Sequence, residues 1–512
     1  MLIIKFITMK NIQIFINFKE DIKSSIKVFL SKYYSIFSKP TLFIFFIFFL
    51  ALLPLFRANV NYIDDSERAL NGGRDWAYLH SRWTSEYLSV FIHADSKLRD
   101  IAPLTQILAI LLISLSSVIL CWVISEKKLT RLGVLLAAFL GLSPFFLECF
   151  AFKFDSPYMA LSILASIFPF LFAFKNKMLF FATSFLGLLI MLTTYQLSSG
   201  VYIMIVIFLL FNSWNNKSLG AHEMRDFLLV SVMSYLSALV VFRIFFLQTK
   251  IFGYNNFFPA NEMTLGVIGN IRDNFGEIIN NFNDNWVYVL TLMIILFVIK
   301  FVLISKRNKF ASFVLALMAL FLMFVFFQGF FIFVDKVGSV PRYFVGFNAF
   351  IAIVALFLAR PPFRFFATPA VVLLYCFFVF SFMFGNALEY QKNYKTFFAT
   401  MLIGDLSKII VEDHRDNENS NIYFMDSIGN APGVKSLQKD YPIIKHLIPN
   451  DFGKHVFGYT NLRWYNFPAI QPQESPKKDK EFLGALPVLV NSYYYTIRGD
   501  ENKNLYIWFN NR

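Results

Sequence analysis

The chain has 512 residues, 57% of them hydrophobic and only 16% charged, with a mean hydropathy of +0.56 and a formal charge of +14. That balance excludes an ordinary soluble globular protein and points to a polytopic membrane protein whose cations are placed by topology. No basic stripe interleaved with aromatics argues for a nucleic-acid partner, and Cys121, Cys149 and Cys376 are too dispersed for a disulfide framework or a metal site.

Residues 1–40 form a basic segment carrying Lys5, Lys10, Lys19, Lys23, Lys27, Lys32 and Lys39. The apolar spacing from Ile12 to Leu30 predicts an amphipathic helix lying in the inner membrane surface. A mobile basic tail, or a start at Met9, fits the same residues. Apolar runs then follow near 41–56, 102–124, 132–147, 157–174, 178–194, 200–213, 227–247, 287–304, 310–333, 343–359 and 366–385, about eleven spans in all. They are continuous and do not alternate, so the region 41–385 is expected to be all-α and not a barrel. Every second linker is short and basic, as at Lys127, Lys128 and Arg131 or at Lys306, Arg307 and Lys309. Those linkers are assigned to the cytoplasm and the others to the outside.

The first outward loop reads NYIDDSERALNGGRDWAYLHSRW and crowds Asp64, Asp65, Glu67, Arg68, Arg74, Trp76 and Arg82 into one short stretch. Ionised groups beside a span are costly unless a partner or ligand receives them, so this loop is the expected reaction site. A capped helical turn, with Arg68 one turn beyond an acidic cap, accounts for part of the same pattern. Read functionally, one carboxylate of Asp64 and Asp65 takes a proton from an attacking hydroxyl while guanidinium groups neutralise a departing phosphate. The sequence does not choose between the two acids. A divalent cation stays open as an alternative, because hard cations favour carboxylate oxygens, although neighbouring helical residues diverge and chelate poorly.

The second outward loop returns Glu148, Lys153 and Asp155, which suit either sugar and phosphate binding or a self-contained ionic cluster. Tyr195 and Gln196 at a span end suit sugar contact, with interfacial anchoring as the commoner role of such a Tyr. Arg342, after Pro341, suits a phosphate clamp, with snorkelling as its commoner role. Nucleotide-binding, zinc-protease and serine-hydrolase motifs are absent from the sequence. Residues 386–512 are polar, Asn-rich and broken by Pro and Gly, and are expected to form a small separate α/β domain. Helical spacing runs from Tyr394 to Val411, strands are expected at Asn421–Met425 and Leu486–Ile497, and Arg498 to Asn502 reads as a hairpin turn before a strand at Leu505–Phe509.

The pattern D-D-x-x-R-x-x-x-G-x-x-x-W, met here as Asp64, Asp65, Arg68, Gly72 and Trp76, resembles the opening signature of bacterial GtrII-type glucosyltransferases, membrane enzymes of the GT-C class. The stretch SPFFLECFAFKFDSPYMALS and the run Thr194-Tyr195-Gln196 extend the likeness in order along the spans. One departure is Ser81-Arg82 where the family usually has Gly-Arg. The resemblance implies a GT-C-like fold and an inverting transfer of a hexose, usually glucose, from a polyprenyl-phosphate-linked donor. It also implies a cell-envelope glycan acceptor, often lipopolysaccharide O-antigen, and action at the outer side of a bacterial inner membrane. The role the resemblance implies is base for Asp64 or Asp65; read from the residues themselves, Arg68, Arg74, Arg82, Lys153 and Arg342 are the candidates for phosphate binding, and Trp76, Glu148, Asp155, Tyr195 and Gln196 those for sugar or acceptor binding. A donor synthase and a flippase are the implied functional partners. A transporter or flippase of lipid-linked sugars is the alternative, which needs polar groups at mid-membrane depth and often two related halves.

Overall fold

The apolar runs are occupied by helices, as continuous apolarity without alternation requires. The structure, a computed structural model, describes residues 31–248, 256–335, 337–338, 340–412, 421–455, 457–467 and 480–510. The expected amphipathic helix at 12–30 lies outside the described residues. Among the described residues, seven helices are long and apolar enough to cross a membrane: Ser31–Ala51, Leu104–Ile124, Gln196–Asn216, Ala221–Phe245, Asp284–Leu303, Pro341–Ala359 and Arg364–Val411. The pair Arg131–Leu142 and Pro144–Ala151, bent by 60°, makes an eighth if taken as one span. Ser156–Leu171, Lys177–Leu192 and Lys309–Val325 are shorter than the roughly 20 residues that a bilayer needs. The first helix is already formed at Ser31, ten residues ahead of the expected start, with Tyr33 and Phe37 buried and Lys32 and Lys39 exposed along it. Long Lys side chains reach water from an apolar helix end, so they do not end the helix.

Burial sorts the helices. Val345–Ala359 is buried at every residue and forms the centre of the bundle, as a helix apolar on all sides should. Ala221–Phe245 instead shows Leu228, Leu229, Val232, Met233, Leu236 and Val240 on its outer face, a surface fit for lipid and not for water. Two local devices shape the region above the core. Pro144, which lacks an N–H, starts a new helix after extended Ser143 and produces the 60° bend that carries Glu148. Asp155 then precedes the helix Ser156–Ile167 without capping it, leaving its carboxylate free for other partners.

The change from apolar to polar sequence near residue 386 falls inside one continuous helix, Thr368–Glu412. Its later turns present Phe398, Leu402, Leu406 and Ile409 to a four-stranded sheet of order β1-β4-β3-β2. The strands are β1 (Ile422–Phe424), β2 (Val488–Asn491), β3 (Tyr495–Gly499) and β4 (Leu505–Phe509). β1 runs parallel to β4, while β2, β3 and β4 are antiparallel neighbours. The turn at 500–504 is the expected hairpin, closed by Asp500 accepting from the Asn504 N–H at 2.8 Å. The single strand expected at Leu486–Ile497 is instead two, β2 and β3, because Ser492 folds the chain back by accepting from the N–H groups of Tyr494 and Tyr495. Not all of the tail packs on this sheet. Val434, Ile443, Ile444, Leu447 and Ile448 belong to the same apolar core as the bundle helices, and the Tyr441 ring lies 5.4 Å from that of Trp286.

Candidate active site

The loop helix Asp65–Asn71 has seven residues, too few to be stable alone, so its contacts decide where its side chains sit. Gly72 ends it in the left-handed region at φ 69°, donating to Arg68 O at 2.7 Å, and a Cβ there would press on Lys97. A residue with a side chain is disfavoured on both counts. The turn brings Trp76 back beneath Arg68, whose guanidinium lies 4.7 Å from the indole centroid.

Asp64 and Asp65 go to different places. Asp65 is fully buried, and its Oδ2 accepts from the backbone N–H groups of Lys153 at 2.8 Å and Tyr62 at 3.2 Å, stitching the first outward loop to the second. Its Oδ1 is buried without a hydrogen-bond partner among the described residues. Burial, reinforced by the charge of Asp64, holds the Asp65 carboxyl well above the ordinary carboxylate range. Asp64 keeps part of its carboxylate exposed, pairs with Arg68 Nη2 at 2.9 Å and lines the main cavity. Burial raises its pKa as well, against the opposing pull of Arg68.

Asp155 gathers the first loop. Its Oδ2 pairs with Arg68 Nη1, while its Oδ1 accepts from Trp76 Nε1 at 2.8 Å and lies 3.5 Å from Arg82 Nη1. Arg82 also stacks over the Tyr195 ring at 4.9 Å, and its buried Nε makes no hydrogen bond among the described residues. Tyr195 donates its hydroxyl to Arg342 O at 2.9 Å, and buried Glu148 receives both the backbone N–H of Arg342, at 2.6 Å, and its guanidinium. Gln196 Nε2 donates to His80 O at 3.0 Å. Residues far apart in sequence are thus brought together by ion pairs, hydrogen bonds and a guanidinium–ring contact.

The cluster closes one end of a cavity of about 810 Å³, the size of a small-molecule site. Asp64, Arg68, His80, Arg82, Asp155, Gln196 and Arg342 line its polar end. Its other walls are apolar, built by Leu236, Leu239, Val240 and Phe242 and by residues between Phe326 and Val337. Leu236 and Val240 are also about half exposed on the outer face, so the apolar part adjoins the lipid-facing surface. Four arginines (Arg68, Arg82, Arg243, Arg342) face two carboxylates (Asp64, Asp155) along this lining, which favours an anionic guest. His80 does not add to that charge, because burial and then Arg82 lower its pKa to about 3.

The geometry engages other sequence candidates elsewhere. Lys153 turns its ammonium to Asn61 and Asp100, at 2.8 Å each, and Arg74 sits 3.7 Å from Glu86. Trp76, Glu148 and Tyr195 stand behind the cavity wall as supports and do not line it. The lining residues that the sequence reading did not single out include His80, Arg243 and Phe457. A cation near the end of an apolar span was the available signal for Arg243, which has no ion-pair partner among the described residues. Among those residues, no group of three His, Cys, Asp or Glu comes together to hold a metal ion.

Residues 53–359 match the model of a protein family described as Glucosyl transferase GtrII. The matched region holds every cavity-lining residue except Phe457. No curated protein and no solved structure matches the chain.

Proposed function

Because the chain belongs to the GtrII glucosyl transferase family, we propose that it moves glucose from a polyprenyl phosphate carrier to a hydroxyl of a cell-envelope glycan, such as O-antigen, at the outer side of a bacterial inner membrane. The observation that carries this reading is the two-natured cavity, in which a carboxylate and an arginine cage sit at one end and an apolar wall beside lipid at the other. A carrier lipid with a phosphodiester-linked sugar has the same two halves. In this reading the outward loops face the periplasm and all eleven apolar runs belong to the membrane layer.

Transfer proceeds by one displacement. The acceptor oxygen attacks the anomeric carbon as Asp64 takes the hydroxyl proton, and the bond from that carbon to the phosphate oxygen breaks. The configuration inverts. The phosphate goes from one negative charge in the donor to two in the leaving carrier, and Arg68, Arg82 and Arg342 meet the charge that grows in the transition state. Asp155 and Glu148 hold those guanidiniums in place beforehand, so little reorganisation is required. Trp464 and Tyr465, half exposed on the tail, offer aromatic faces for the acceptor glycan.

Reconstituted protein given labelled polyprenyl-phosphate glucose and an envelope glycan is expected to move the label to the glycan with inverted anomeric configuration. Movement of labelled lipid across the vesicle without any glycan, and no transfer when glycan is present, would favour the transporter alternative and reject this reading.

A further inference from the structure

The tail grips the segment that carries Asp64 at two points. The Tyr62 hydroxyl, fully buried, donates to Leu447 O at 2.9 Å. Five residues on, Glu67 accepts from Thr460 Oγ1 at 3.0 Å and from Arg463 Nη1 at 3.2 Å, and Arg463 Nη2 donates to Asn71 at 3.4 Å. On the loop helix, Asp64, Glu67, Arg68 and Asn71 lie within one arc of about 100°, with Arg68 at one edge and Glu67 at the other. Asp155 of the second loop holds the Arg68 edge and the tail holds the Glu67 edge. Between the two grips lies Phe457, the one tail residue among those lining the cavity.

We propose that tail residues 447–455 and 457–463 belong to the catalytic centre, with Thr460 and Arg463 acting as positioning residues that work through Glu67 to fix the loop helix, so that Asp64 and Arg68 face the cavity. The proposal rests on the reading of Asp64 as the base. A helix of two turns cannot set its own orientation, so a change in either lateral grip tilts the carboxylate and the guanidinium together. The Glu67–Arg463 pair is itself partly exposed, with side chains 32% and 41% accessible. Such pairs add little to global stability, so disrupting this one should leave the fold intact.

The test uses the full-length reconstituted protein as Glu67→Arg, Arg463→Glu and the double exchange, with Thr460→Val as a fourth variant. Each single charge change is expected to lower kcat about 10- to 100-fold, since misplacement by about 1 Å costs that much. KM for donor and acceptor and the melting temperature should stay near wild type, and the double exchange should recover most of the rate. Hydrogen exchange of amides 65–72, which needs no turnover, should quicken in the single variants and slow again in the double. Unchanged exchange in the single variants would overturn the proposal, as would a change confined to acceptor KM, which would make the tail only an acceptor surface. Quickened exchange in the single variants, with a wild type that transfers no glucose, would instead count against the proposed function while sustaining the positioning role.

Discussion

Asp155→Ala is expected to abolish transfer and to destabilise the protein by about 3–5 kcal/mol, the usual cost of stranding a buried ionic partner. The Asp155 side chain is 6% accessible and receives Arg68, Trp76 and Arg82 together. Without it, Arg68 keeps Asp64 and the face of Trp76, Arg82 keeps the face of Tyr195, and the buried indole N–H of Trp76 loses its acceptor. Asp155→Asn preserves an oxygen for Trp76 but not the charge for two arginines, so it should fall between Ala and wild type. Thermal melting in detergent measures the stability and the labelled transfer assay measures the rate. An Ala variant that melts with wild type would show that the three donors do not depend on this carboxylate.

Asp64→Asn should cost about 10² to 10⁴ in rate, the range for loss of a positioned general base, while Asp65→Asn should keep most of the activity. The two acids are neighbours in sequence, yet Asp64 lines the cavity and Asp65 does not. Asp65 is held above the ordinary carboxylate range by burial and by Asp64. An Asn there retains the oxygen that accepts from Tyr62 and Lys153, and the change shows mainly as lower stability. The pH dependence has a definite sign. A base must be deprotonated, and burial raises the Asp64 pKa, so activity is lost as pH falls through a value above the ordinary Asp range of about 3.9. A kcat/KM profile for wild type should show that acid limb, and Asp64→Glu should move it. Equal losses in the two Asn variants would remove the distinction between the acids.

Most of the helices were legible because their apolar runs are continuous, although one run is broken by the bend at Pro144 and three helices are shorter than a bilayer needs; the first outward loop was legible because charge beside a span is expensive. Which acid faces the cavity was not legible, since Asp65 is fixed by the backbone of Lys153 in another loop. Lys153 and Arg74 looked available for phosphate only because their partners, Asp100 and Glu86, are not marked by sequence spacing. Arg243 was concealed inside an apolar run. In the tail, Gly499 and Asp500 announced one turn, whereas the turn at 492–494 has no Gly or Pro and therefore read as strand. The helix Thr368–Glu412 crosses the change in composition because its apolar residues simply exchange a membrane neighbour for a sheet. The docking of residues 431–448 onto the bundle is a long-range packing event that no local pattern records.

The most direct test of the cavity as the donor site uses polyprenyl-phosphate glucose carrying a photoreactive group in its lipid chain, with crosslinked peptides identified after illumination. Labelling is expected within 236–247 and 326–337, and excess unlabelled donor should suppress it. Labelling spread over the lipid-facing side of the bundle and indifferent to unlabelled donor would contradict the assignment.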